Sequence, residues 1–164
     1  MTGMCIAAAN YLIERTNEYN YGKLYSERIP MTCKRLQKLL YFGDVLYMQK
    51  TNGNSMFKDE FYAWPSGPVI PSIYDAFMQF QNGEMEPIAG THTPLSATME
   101  NVLNEIFEKT ISIDTFDLVT LSHIQEGPWD KIYEQTPASD FKIIPKDSIF
   151  NFYKQKKDFL KISA

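Results

Sequence analysis

Phe61-Tyr62-Ala63-Trp64-Pro65-Ser66-Gly67-Pro68-Val69-Ile70-Pro71 is followed three residues later by Tyr74. Three prolines and a glycine between positions 65 and 71, directly behind an aromatic run, exclude the interior of a helix or a central strand. Each proline fixes φ and removes a backbone donor, while Gly67 can take positive φ at little steric cost. Periodic apolar segments flank the stretch, so it reads as a rigid corner with Trp64 at its entrance. Such a corner either pins a core or presents a surface.

Upstream, Met4 to about Glu18 reads as a first helix carrying Ile6, Ala9, Tyr11, Leu12 and Ile13. Tyr19 to Pro30 is polar and tyrosine-rich, a connection or a short strand. Thr32 is an N-cap candidate for the clearest helix, in which Leu36, Leu39, Leu40, Gly43, Leu46 and Tyr47 define one face. Gly43 reads as a close-approach point for another element, because glycine costs about 1 kcal/mol relative to alanine inside a helix. Asn52-Gly53-Asn54 ends that helix. Phe57, Phe61 and Ala63 then alternate with polar neighbours as in a short strand or extended arm.

Downstream, Ile70, Ile73, Tyr74, Phe77, Met78 and Gln81 predict a helix closed by Asn82-Gly83. Loop follows from Glu84 to Pro94, with a brief extended piece at Pro87-Ile88-Ala89. Ser96 or Thr98 opens a helix striped with Met99, Val102, Leu103, Ile106 and Phe107. Asp114 and Asp117 resemble a capping box before a short helix bearing Phe116, Leu118 and Leu121. Gly127-Pro128 starts another helix with Trp129, Ile132 and Tyr133. After Thr136-Pro137 comes extended Phe141-Lys142-Ile143-Ile144. A last helix after Pro145 turns Ile149, Phe152, Tyr153 and Leu160 inward and ends in lysines 154, 156, 157 and 161, which suits its macrodipole. The expected fold is mainly α: one compact domain over residues 1–164, with six or seven helices and a few short β or extended segments.

The 164 residues, 44% hydrophobic and 14% aromatic, suffice for one real core. A net charge of −4 argues against broad binding to phosphate backbones. Cys5-Ile6-Ala7-Ala8-Ala9 is too short for a signal sequence, and no run approaches the ~20 apolar residues that span a bilayer. Cys5 and Cys33 have no metal-ligand spacing and read as buried thiols of a cytoplasmic protein rather than a disulfide.

Catalytic chemistry is hard to find. His92 lies in a polar loop and reads as solvated. His123 closes an apolar helix and reads as a helix-end imidazole satisfied by backbone or a carboxylate. Ser66 is not in a nucleophile elbow, and Cys33 has no base near it in sequence. Asp59-Glu60 and Glu84/Glu86 read as solvated carboxylates. Lys34, Arg35 and Lys38 crowd a helix start, where cations oppose the macrodipole. They read as a basic solvated face, as a pairing of Lys38 with a distant acid, or as a site for an anionic partner with Tyr41 beside it.

Thr32, Leu36-Gln37-Lys38-Leu39-Leu40-Tyr41-Phe42, Phe57, Ala63-Trp64, Gly67-Pro68-Val69, Pro71 and Tyr74 together resemble the signature of the Panacea antitoxin family, which includes SocA-like and GepA-like phage-associated proteins. Ala9-Asn10-Tyr11-Leu12 matches the family's opening helix; Leu121-Ser122-His123 and Pro128-Trp129 match its later motif. Arg35 stands where the family often has lysine, and the Tyr19–Pro30 connection is longer than expected.

The resemblance implies a prophage or mobile-element antitoxin that neutralises a neighbouring toxin by direct binding. Because the pattern uses essentially the whole chain, it leaves no room for a dedicated nucleic-acid-binding module; the lack of cofactor motifs and of a long apolar run adds the expectation of no cofactor and no membrane. The candidate partner-binding set is Lys34, Lys38, Tyr41, Trp64, Gly67, Pro68, Tyr74, His123 and Trp129; no catalytic, cofactor or metal residue is assigned. Two alternatives stand beside it. One is an adaptor that delivers a toxin to a bacterial protease. The other is an enzyme whose Lys38, Trp64 and His123 are joined only by folding.

Overall fold

The computed structural model describes residues 3–80, 84–90, 93–135 and 142–162. Within them the chain runs α1 (Gly3–Asn20), a 3-10 turn (Tyr25–Glu27), α2 (Cys33–Thr51), β1 (Phe61–Trp64), β2 (Gly67–Val69), α3 (Pro71–Phe77), α4 (Ala97–Thr110), α5 (Thr115–Ser122), α6 (Pro128–Gln135), β3 (Ile143–Ile144) and α7 (Lys146–Tyr153). This is a single compact, mainly α fold with one small sheet.

The core is organised round α2. Thr32 caps it as expected, its hydroxyl accepting from Arg35 N at 3.1 Å. Asn52, in the left-handed conformation with φ 57°, closes it. Fourteen of its nineteen residues are buried, because α1, α3, α4, α5, α7 and β2 pack around it. A helix enclosed on nearly all sides cannot keep a polar face in water, so Arg35, Gln37, Lys38 and Asp44 are buried with the leucines. The expected basic solvated face is therefore absent. Lys34 is exposed, but Arg35 donates to Thr110 O at 2.7 Å and Ile113 O at 2.8 Å, serving the C-terminal end of α4.

The proline corner is a β-hairpin. β1 is the central strand of an antiparallel sheet in the order β2-β1-β3, with Ala63 opposite Pro68 and Trp64 opposite Gly67. Pro68 sits in an edge strand, where a missing donor is tolerated. Other caps follow the sequence: Ser96 accepts from Met99 N and Asp114 from Asp117 N. Cys5 and Cys33 are both buried, and neither is in a disulfide.

Several expectations need correction. A Cβ at Gly43 would meet Leu103 Cδ2 at 3.6 Å and Met56 Cε at 3.9 Å, ordinary contacts, so no close approach demands glycine. Phe116 is 77% exposed, because α5 turns Leu118 and Ser122 inward instead. The helix after the corner stops at Phe77 and leaves Met78 exposed. α7 stops at Tyr153, so most of the lysines follow it rather than forming its last turn; Leu160 packs on the core from beyond the helix. Of the two readings of Tyr19–Pro30 the connection holds and the strand does not, and residues 87–89 form no strand within their loop. His92, Gln81, Asn82-Gly83, Thr136-Pro137 and Phe141 lie outside the described residues.

Candidate functional site

The two halves of the sequence signature hold each other. Gln37, projecting from α2, makes a reciprocal amide pair with the backbone of Ile70: its Nε2 donates to Ile70 O at 3.0 Å and its Oε1 accepts from Ile70 N at 2.9 Å. One residue on, Lys38 Nζ donates to Pro68 O at 2.9 Å. Side chains of α2 thus occupy backbone groups along and just beyond β2, which would otherwise be orphaned on burial.

Gly67 makes this approach possible. Its φ is +112°, and a Cβ there would lie 2.6 Å from both Lys38 Cε and Ser122 Oγ. A side chain is excluded twice, by backbone conformation and by space. Across the sheet, Trp129 Nε1 donates to Trp64 O at 2.8 Å and ties α6 to the end of β1. Trp129 is also the middle of a three-ring stack, with His123 at 3.6 Å and 7° on one contact and Tyr133 at 4.6 Å and 14° on the other. Trp64 meets Tyr74 edge-on at 5.2 Å.

The electrostatics are unusual for a structural core. Lys38 is fully buried, and none of the four described ion pairs includes it. Burial first, then the charge of Lys34, pushes its ammonium down to about 7, against a smaller opposing effect of Cys33. Burial also pushes the Cys33 thiol up to about 11, which makes it a poor nucleophile. The His123 imidazole is held below its ordinary range by burial and by Lys38, with Asp130 opposing. Its Nε2 is buried with no described partner, so the expected satisfaction by backbone or carboxylate is not made there.

The fold therefore brings Lys38, Gly67, Pro68, Trp64, His123 and Trp129 together around one hairpin, with Tyr74 joined through Trp64. Tyr41 lies apart, fully buried against Phe42, Phe61 and Tyr153. Of the nine predicted residues, Lys34 is exposed and Trp64, Tyr74 and His123 are half-buried; Lys38, Tyr41, Gly67, Pro68 and Trp129 are buried. Sequence reasoning missed the roles of Gln37, Arg35 and Ser122. A glutamine set among Leu36, Leu39 and Leu40 was the available signal.

Two polar groups of the cluster serve the fold. Lys38 gives a hydrogen bond to Pro68 O, and Ser122 Oγ gives one to Val119 O at 2.7 Å. The two described grooves, of about 790 and 400 Å³, are not lined by Lys38, Trp64 or His123. Among the described residues, no group of three or more His, Cys, Asp or Glu is placed to hold a metal ion. Nor is any described helix long and apolar enough to cross a membrane.

The hairpin, most of its anchoring helix and the tryptophan that ties them lie within residues 36–130. The chain belongs to the family of SocA-like antitoxins with a Panacea domain, whose model matches residues 36–130. It is similar to the antitoxin SocA of Caulobacter vibrioides (strain NA1000 / CB15N), with 28% identity over 139 residues, covering 77% of this chain and 68% of the relative. No solved structure matches the chain significantly.

Proposed function

We propose that this chain neutralises a toxin encoded beside it by binding that toxin directly in the cytoplasm, without catalysis and without a dedicated nucleic-acid-binding module. In this reading the whole chain acts as one antitoxin domain. The observation that carries it is family membership across residues 36–130. The consumption of Lys38, Gln37 and Trp129 in internal hydrogen bonds supports a scaffold that presents a surface over an enzyme built from Lys38, Trp64 and His123. Within the predicted set, Lys34, Trp64, Tyr74 and His123 retain exposure for direct contact. Lys38, Tyr41, Gly67, Pro68 and Trp129 serve by holding the shape.

Co-expression with each flanking reading frame tests this. One of the two is expected to arrest growth alone, to be tolerated with this chain, and to co-purify with it at unchanged intracellular lifetime. Absence of a toxic neighbour, or of a complex, sinks the reading. A shortened toxin lifetime would instead mark the chain as an adaptor to a protease.

A further inference from the structure

Three of the four most exposed large apolar side chains among the described residues fall within five positions of the α1–α2 connection: Tyr21 at 89%, Tyr25 at 78% and Leu24 at 69%. Single exposed apolar groups are ordinary, but a cluster of this kind marks a contact surface, and tyrosines are favoured interface anchors. The cluster stands on a braced frame. Asn20 closes the neck of the connection by a reciprocal pair with Ile29, each bond 2.8 Å. Lys23 Nζ donates to Tyr19 O at 2.7 Å and Arg28 Nε to Lys23 O at 2.9 Å. Such bracing lowers the ordering cost of binding.

Beside this frame lies the groove of about 790 Å³, lined by Tyr21 and Tyr25 on the connection and by Phe80, Glu84, Met85 and Glu86 further along the chain. Glu84 and Glu86 are exposed, and no described group pairs with them. Of the cations, Arg28 lines the groove and Lys23 stands on the connection, each keeping its charge while donating to a backbone carbonyl. The smaller groove, lined by residues of α1 and α4, adds Glu14, Glu18 and Glu108 against one cation, Arg15. Across the linings of the two grooves five glutamates therefore stand against two arginines, a net negative balance. The connection also precedes residue 36, where the family match begins.

We propose that this groove receives a cationic, apolar segment of the toxin, a lysine or arginine flanked by aliphatic or aromatic side chains. Tyr21 and Tyr25 cover its apolar part, and Glu84 and Glu86 take its charge. The proposal rests on the antitoxin reading and names the surface that gives this chain its own partner.

The test uses the full chain and the purified product of the adjacent toxic reading frame. Calorimetric titration at two salt concentrations compares the wild type with Tyr21→Ser/Tyr25→Ser and with Glu84→Lys/Glu86→Lys. Each double variant should melt like the wild type yet bind at least tenfold more weakly and lose growth rescue. The wild-type affinity should fall with salt, and the glutamate variant should lose that dependence. Folded variants that bind and rescue like the wild type overturn the groove alone, whereas a wild type that neither binds nor rescues overturns the antitoxin reading as well. A wild-type dimer in sedimentation that either variant breaks would assign the surface to a second copy and overturn the proposal.

Discussion

At Gly67 the backbone runs with φ +112° against Lys38 Cε and Ser122 Oγ, so one hydrogen atom's worth of space is all the fold leaves. Gly67→Ala adds a methyl group where both conformation and packing forbid it. Positive-φ strain and overpacking together should destabilise the protein by about 2–4 kcal/mol. Urea unfolding monitored by circular dichroism measures this directly; a loss below 1 kcal/mol would mean that the hairpin can draw away from α2 cheaply. The same tightness explains why Lys38 is so deeply buried. Its stem packs on the glycine while its ammonium reaches the next carbonyl along, Pro68 O.

Among the elements, α2 sets the terms for its neighbours. It carries one position at which the chain is not optimised, since Gly43 sits mid-helix with room for a Cβ against Leu103 and Met56. Gly43→Ala should raise stability by about 1 kcal/mol through helix propensity, or a few degrees in Tm. A lower melting temperature in differential scanning calorimetry would show that α4 is pushed off. A second device recurs at element scale. Asn10 pairs with both backbone groups of Ile88, Asn20 with those of Ile29 and Gln37 with those of Ile70. Each side-chain amide stands in for a strand partner and lets a non-sheet segment pack against a helix without orphaned backbone groups.

For the molecule as a whole, buried ionisable groups make stability depend on pH in opposing directions. Unfolded Lys38 holds its proton up to the ordinary 10.5, whereas the folded one releases it near 7. Above pH 7 the unfolded chain therefore binds more protons, and stability rises with pH at up to about 1.4 kcal/mol per unit. Above pH 9 the Cys33 thiol, raised to about 11 by burial, opposes this, because it ionises first in the unfolded chain. On the acid side, burial raises Asp44 to about 6 despite bonds from Ser55 Oγ and Met56 N, so stability falls as pH rises from about 4 to 6. His123, held low, acts the other way below its ordinary 6.5. Urea midpoints should therefore climb between pH 7 and 9 in the wild type and stay flat across that window in Lys38→Met. An equal climb in the variant would remove Lys38 as the cause.

What the sequence determined alone is what neighbours along the chain can decide. Thr32, Ser96 and Asp114 cap helices through bonds to a residue three positions on, Pro128 opens α6, and Pro65 to Gly67 turn the chain sharply. The motif combination also carried the family. What the tertiary structure decided is which side of each polar residue faces water. Lys38 and Gln37 find partners 30 and 33 positions away and Arg35 partners 75 and 78 away, so no local pattern reveals that they are inside. The same distance kept the corner's second role from view. Its three prolines fix φ locally, but its position comes from α2 and Trp129, which reach it only once the core has closed.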